Sequence, residues 1–178
     1  MDCVVVYETM WGNTRLIAEA IADALDADCV VAVHEAIGGV GRADLLVVGG
    51  PTHARGLMTS LTRRMALQAA SESARPLDPE PARAPGLRQW LREIPDVQGS
   101  HALAFDTRRD RPPLIAGSAA RGIARRLRQR GYQVGGTASF VVDANDGPIK
   151  SGELERAQEW AVARASRIAR PLVGGPYR

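Results

Sequence analysis

The sequence predicts an α/β protein organised around a doubly wound, five-stranded parallel sheet, and three observations carry that prediction. Five apolar runs rich in valine, leucine and alanine recur along the chain. Segments with apolar residues at helical spacing separate most of them. Runs such as Leu45-Leu46-Val47-Val48 show no polar alternation, which marks strands covered on both faces, as a parallel sheet requires. With 178 residues, 45% of them hydrophobic and 24% charged, the chain has the size of one α/β domain and can bury roughly 70% of its unfolded surface.

In order, the expected elements are a strand at 2–7, a helix at 14–26, strands at 29–34 and 45–49, a helix at 58–70, a strand at 101–106, a helix at 118–130, a strand at 133–142 and a helix at 152–169. Ile17, Ala20, Ile21, Ala24 and Leu25 share one stripe of the first helix, and Leu154, Ala157, Trp160, Ala161 and Ile168 one stripe of the last; each stripe is expected to face the core. Ser118 is placed to cap the helix it precedes and Gly131 to end it, while Glu153 and Glu155 suit the positive end of the last helix. An insert at about 71–99 holds Pro76, Pro79, Pro81, Pro85 and Pro95, a composition that opposes regular structure over 74–86. Within it Leu87, Trp90, Leu91 and Ile94 fall on one stripe and predict a short helix covering the sheet. The cluster Gly38-Gly39-Val40-Gly41 precedes a strand instead of linking one to a helix, so it reads as a connection. One domain spanning 1–178 is expected.

The stretch Thr9-Met10-Trp11-Gly12-Asn13-Thr14 joins the first strand to the first helix. The first N–H groups of a helix lack intrahelical partners and the helix dipole places partial positive charge there, so this turn can hold an anion without a lysine. The stretch resembles the flavodoxin phosphate loop, [ST]-x-[ST]-G-x-T, matching at Thr9, Gly12 and Thr14. Trp11 departs from it, standing where a hydroxyl is usual; an aromatic there resembles the loops of flavodiiron proteins and of tryptophan-repressor-binding quinone reductases. Gly49-Gly50-Pro51-Thr52-His53 looks like the family's second flavin loop, G-x-P-T. Ala102-Leu103-Ala104-Phe105-Asp106-Thr107 resembles its fourth strand and the loop at the flavin pyrimidine edge. The resemblance covers nearly the whole chain apart from the insert. It implies a flavodoxin-like strand order of 2-1-3-4-5, with ligand binding where the winding reverses, at the carboxyl ends of strands 1 and 3.

The implied cofactor is flavin mononucleotide (FMN). By this resemblance Thr9, Met10, Trp11, Gly12, Asn13 and Thr14 hold its phosphate, with Arg15 either adding charge or pointing to solvent. Pro51, Thr52, His53, Ala54, Arg55 and Gly56 form one side of the ring site, and Asp106, Thr107, Arg108, Arg109 and Asp110 the other. Neither ring loop carries the tyrosine or tryptophan with which electron-transfer flavodoxins often sandwich the flavin, leaving His53 and Trp11 as the nearby planar groups. Arg55, Arg108 and Arg109 near the ring are expected to favour the reduced, anionic flavin.

The 23 Lys+Arg residues against 20 Asp+Glu give a net charge of +3, unlike the acidic flavodoxins that carry electrons, and steer the chain toward acidic partners. Nucleic-acid binding is not expected, because Arg125, Arg126, Arg128 and Arg130 are not interleaved with aromatics. Cys3 and Cys29 stand near the starts of apolar runs and are expected to be buried thiols; with no C-x-x-C pair and three scattered histidines, no metal site is expected. No apolar run approaches the roughly 20 residues of a membrane span, and no signal-like segment opens the chain, so a cytoplasmic protein without membrane insertion is expected, as a monomer or weak homo-oligomer. No nucleophile elbow or nucleotide P-loop is present. Three functions compete: an electron carrier serving a redox partner protein, an FMN-dependent NAD(P)H:quinone-type reductase acting on a small-molecule electron acceptor, and a flavodoxin-fold interaction module without flavin.

Overall fold

A computed structural model describes residues 1–36, 40–41, 43–53, 56–70, 86–110, 117–144 and 147–169. Along the chain the elements are β1 (Cys3–Tyr7), α1 (Asn13–Leu25), β2 (Cys29–Ala32), β3 (Leu45–His53), β4 (Gly56–Leu57), α2 (Ser60–Ala70), α3 (Leu87–Glu93), β5 (His101–Arg109), α4 (Ala119–Gln129), β6 (Gln133–Val142) and α5 (Glu153–Ala169). The five long strands are parallel in the order β2-β1-β3-β5-β6, while β4 pairs antiparallel with the end of β3. Leaving β4 aside, this is the expected 2-1-3-4-5 order. The extra strand was not legible, because two residues present no period.

The alternation of side chains along β1 divides the core. Val4 and Val6 pack with Leu46, Val48, Leu57, Leu87, Trp90, Leu91, Ile123 and Leu127 beneath α3 and α4. Cys3, Val5 and Tyr7 pack with Ile17, Ile21, Leu45, Leu103, Phe105 and Phe140 beneath α1 and α5. Burying both faces of the central strands explains their unbroken apolar runs. The short helix of the insert forms as its stripe predicts, with Leu87, Trp90, Leu91 and Ile94 all buried and the Trp90 indole donating to the Ala36 carbonyl at 2.9 Å. The rest of the proline-rich segment, 71–85, and residues 38–39 of the glycine cluster lie outside the described residues.

Ser118 caps α4, its hydroxyl accepting the Arg121 N–H at 3.2 Å, and Gly131 follows the helix with φ 87°, a conformation that favours glycine. Two expected core residues are not core. Cys29 is exposed because β2 is an edge strand, and Leu154 is 37% exposed because it precedes the part of α5 that reaches the sheet through Ala157, Ala161 and Ala165. Cys3 is buried as expected, and burial pushes its thiol up to about 11.

Strands β3 and β5 run further than their apolar cores suggest, to His53 and Arg109. Pairing continues through Gly49↔Phe105, Gly50↔Asp106 and Pro51↔Thr107. The residues expected to form loops there are therefore fixed on a sheet edge, which is a firmer platform for a site.

Candidate functional site

The phosphate-loop candidate occupies the expected turn between β1 and α1. Gly12 precedes the helix with φ 83°, a left-handed conformation that a side chain would strain, and its N–H donates to Thr9 Oγ1 at 3.0 Å. The first bond into the helix runs from the Leu16 N–H to the Gly12 carbonyl at 3.0 Å, so the Asn13 and Thr14 N–H groups have no intrahelical partner. Thr9, Asn13 and Thr14 are nonetheless buried. Upstream, the Glu8 N–H donates to the Gly49 carbonyl at 3.0 Å and ties the turn to β3.

Hydrogen bonds across the carboxyl edge of the sheet bring the three sequence segments together. Thr14 Oγ1 lies 2.8 Å from Thr107 Oγ1. Asn13 Nδ2 donates to the Gly147 carbonyl at 2.7 Å, and the Ala119 N–H at the start of α4 donates to Thr52 Oγ1 at 2.9 Å. The result is an open cleft with about 360 Å³ of empty space, lined by Thr9, Met10, Trp11, Asn13, Thr14, Pro51, Thr52, His53, Thr107, Arg108, Arg109 and Val142. A cleft at this edge, flanking the β1/β3 reversal, is where an open α/β sheet binds its ligands.

Three polar atoms of the lining are buried without a partner among the described residues: Asn13 Oδ1, His53 Nε2 and Arg108 Nε. Buried polar atoms seek hydrogen bonds, so these are positioned for a polar ligand. Burial holds the His53 imidazole below the usual histidine range, because the charged form is the costlier one to desolvate, which keeps the ring neutral near pH 7. Arg108 points its Nη1 toward the Gly117 carbonyl, 3.5 Å away. The arginines give the cleft a positive side, and among the described residues its lining contains no carboxylate.

Other expected site residues fall elsewhere. Asp106 does not line the cleft; it is fully buried and its Oδ2 accepts the Ser118 hydroxyl at 2.7 Å and the Ala120 N–H at 2.8 Å. It therefore anchors the N-terminus of α4, where a carboxylate suits the helix dipole. Gly56 sits in β4 opposite His53, outside the lining. Ala54 and Arg55 lie outside the described residues. Trp11 touches the cleft yet is buried in a cluster with Met10 and Met58, against which Ala66 of α2 packs, so its indole fastens the turn to α2. Arg15 leans on Glu19 at 3.8 Å.

Two features were not expected from sequence. Val142, at the end of β6, lines the cleft; the apolar run Phe140-Val141-Val142 offered that signal. Glu8, immediately before the turn, is a buried acid paired with the Arg63 guanidinium of α2. Burial pushes its carboxyl above the usual range, with Arg63 and a hydrogen bond from the Leu87 backbone pulling the other way. Glu8 thus ties the turn to α2 and α3 at once. Among the described residues no cluster of histidine, cysteine or acidic side chains could hold a metal ion, and no helix is long and apolar enough to cross a membrane.

No protein-family model matches the sequence, and comparison with curated proteins finds no match. Solved structures do match. A flavodoxin from the domain Archaea aligns at 17% identity over 96% of this chain and 100% of its own, with a TM-score of 0.59. A flavodoxin of Streptococcus pneumonia TIGR4 aligns at 17% identity over 94% of this chain and 99% of its own, with a TM-score of 0.59. The Trp repressor binding protein of Bacillus subtilis aligns at 16% identity over 98% of this chain and 100% of its own, with a TM-score of 0.51. The fold is flavodoxin-like.

Proposed function

We propose that the chain is an FMN-binding flavodoxin-like protein that transfers electrons between FMN and a redox partner. One observation carries the reading: a single cleft at the carboxyl edge gathers the turn after β1, the Pro51-Thr52-His53 end of β3 and the Thr107-Arg108-Arg109 end of β5. Its donors and acceptors suit the three parts of FMN. The Asn13 and Thr14 N–H groups and the Thr9 and Thr14 hydroxyls suit a dianionic phosphate. Asn13 Oδ1 is an acceptor for a ribityl hydroxyl, and the unpartnered Arg108 Nε and His53 Nε2 suit the polar edge of the ring.

FMN would supply the electron chemistry. The chain supplies binding, orientation and field. Pro51 and Thr107, paired in register, stand side by side in the lining, and the positive side made by Arg108 and Arg109 favours added electrons. Titrating the protein with FMN and, in parallel, with riboflavin tests the reading by absorbance and flavin fluorescence. FMN is expected to bind at micromolar concentration and at least about tenfold more tightly than riboflavin, since charge-assisted bonds to the phosphate carry much of the affinity. Absence of FMN binding overturns the proposal and favours an interaction module; equal affinities overturn the phosphate assignment.

A second reading, an FMN-dependent NAD(P)H:quinone-type reductase, is supported by the lining of the cleft. Among the described residues of the lining the aromatic groups are Trp11 and His53, and Trp11 is held in its cluster with Met10 and Met58, which leaves a planar ligand a face open to a small acceptor. Oxidation of NADH or NADPH by a quinone in the presence of the FMN-loaded protein alone favours this reading; turnover that needs a partner reductase favours the carrier.

A further inference from the structure

The α3–α4 side of the molecule is strongly cationic. Arg88 and Arg92 of α3 and Arg121, Arg125, Arg126, Arg128 and Arg130 on and just after α4 accumulate there, and no acidic residue lies between Ser118 and Tyr132. Arginines recur at i, i+4 in Arg88/Arg92, Arg121/Arg125 and Arg126/Arg130, a spacing at which like charges destabilise a helix by a few tenths of a kcal/mol per pair. The tertiary fold adds to this crowding. Arg130 donates to the Arg92 carbonyl, and Arg126 lies close enough to Arg88, Arg125 and Arg92 for their charges to pull its proton affinity down after burial has done so.

Among the described residues, ion pairs offset little of this charge. Among the described residues only Arg130 of the seven meets a carboxylate, Asp96, at 3.1 Å. Others are held by backbone: Arg88 donates to the Met58 and Leu57 carbonyls at 3.2 and 2.9 Å, and Arg126 to the Gly122 carbonyl at 3.1 Å. Guanidinium groups anchored in this way retain donors for a partner's carboxylates and lose less side-chain freedom on docking. Among the described residues the exposed large apolar side chains, such as Leu16, Val30, Leu61, Met65, Leu154 and Val162, lie away from α3 and α4, so the described part of this face offers a bilayer nothing to insert. Its aromatics among the described residues, Trp90 and Tyr132, are buried, so they offer no stacking platform for single-stranded nucleic acid.

We propose that the α3–α4 arginine face is a docking surface for an acidic protein partner. Its upper end adjoins the cleft: Arg88 grips the carbonyls of Leu57 in β4 and of Met58 just after it, and the Ala119 N–H at the start of α4 donates to Thr52. A partner seated there lies beside the candidate cofactor site. The charge argument stands whether or not FMN binds.

Poly-L-glutamate serves as the probe, with the binding followed by fluorescence anisotropy at low and moderate salt, on protein with and without added FMN. Two double variants carry the same charge change: Arg92→Gln with Arg125→Gln on the face, and Arg64→Gln with Arg167→Gln away from it. Circular dichroism on each confirms the fold. The face variant is expected to bind the probe at least about tenfold more weakly, and the control within about twofold of the parent. Equal losses in the two variants overturn the proposal, since net charge alone would then explain binding, and so does failure of the parent to bind at low salt. A DNA duplex that binds more tightly than poly-L-glutamate, with the same loss in the face variant, overturns it in favour of a nucleic-acid surface. Probe binding without any FMN binding sustains the docking face while defeating the flavin assignment.

Discussion

Replacing Gly49 with alanine tests how the sheet builds the cleft. Gly49 pairs with Phe105 across β3 and β5, and the phenyl ring lies over it: a Cβ at Gly49 would stand 2.0 Å from Phe105 Cζ, 2.3 Å from Cε1 and 2.4 Å from Cε2. These distances are an ångström or more inside van der Waals contact. The ring has nowhere to go, since Phe105 is fully buried and packs edge-on against Phe140 at 6.1 Å, which packs in turn on Trp160 at 6.0 Å. Gly50 is a control one residue on, because its Cβ would meet the end of the Leu87 side chain, Cδ2, at 2.8 Å, and a methyl on a flexible chain can turn aside. Overpacking of a rigid core typically costs about 1–3 kcal/mol. Gly49→Ala is expected at or beyond the top of that range and Gly50→Ala below about 1.5 kcal/mol. Urea denaturation reads both values. Phe105→Leu removes the clashing atoms, so in the double variant Gly49→Ala is expected to cost at least about 1 kcal/mol less than in the parent. Equal stabilities for the two glycine variants, or additivity with Phe105→Leu, refute the packing account.

Other predictions follow from the same contacts. The lowered affinity of His53 for protons means that the folded state resists its protonation, so stability is full above the unfolded value of about 6.5 and falls as pH drops below it toward the folded value; His53→Gln is expected to flatten that part of the stability–pH curve measured by urea midpoints. Arg63→Met removes the ion-pair partner of the buried Glu8 carboxylate and is expected to cost about 3 kcal/mol at neutral pH; because a raised folded value favours the protonated acid, the loss shrinks as pH falls, which urea melts at neutral pH and near pH 5 would reveal. Thr107→Val deprives Thr14 Oγ1 of its 2.8 Å partner and is expected to cost about 1 kcal/mol, measured by thermal unfolding. Arg108→Gln removes positive charge from the cleft and is expected to lower the midpoint potential of bound FMN by about 60 mV per electron, the equivalent of a tenfold change in an equilibrium constant; an unchanged potential in spectroelectrochemical titration would remove Arg108 from the field acting on the ring.

Much of the molecule is legible in its residues. Valine and leucine runs give the strands and their burial, stripes such as Leu87, Trp90, Leu91 and Ile94 give helices, and Ser118 and Gly131 punctuate them, because each signal acts over one or two turns of chain. The turn from Thr9 to Thr14 is legible for the same reason: strand, glycine and helix start are contiguous. What failed depended on neighbours distant in sequence. Cys29 has an apolar run after it but no strand on its outer side, and Leu154 obeys helical spacing but precedes the stretch of α5 that reaches the sheet. Asp106 looks like a residue of a ligand loop until Ser118 and Ala120 arrive with their donors.

The order of elements, the parallel sheet and the place of the glycine turn between β1 and α1 could all be read from the residues, since periodicity and chain breakers act locally. Only the tertiary structure decided which of the candidate residues share a cleft, that Trp11 is an anchor for α2 and Asp106 a support for α4, and that arginines from two helices form one face. Those outcomes rest on strand register and helix packing, which bring together groups as far apart as Thr14 and Thr107 and which no local pattern of residues encodes.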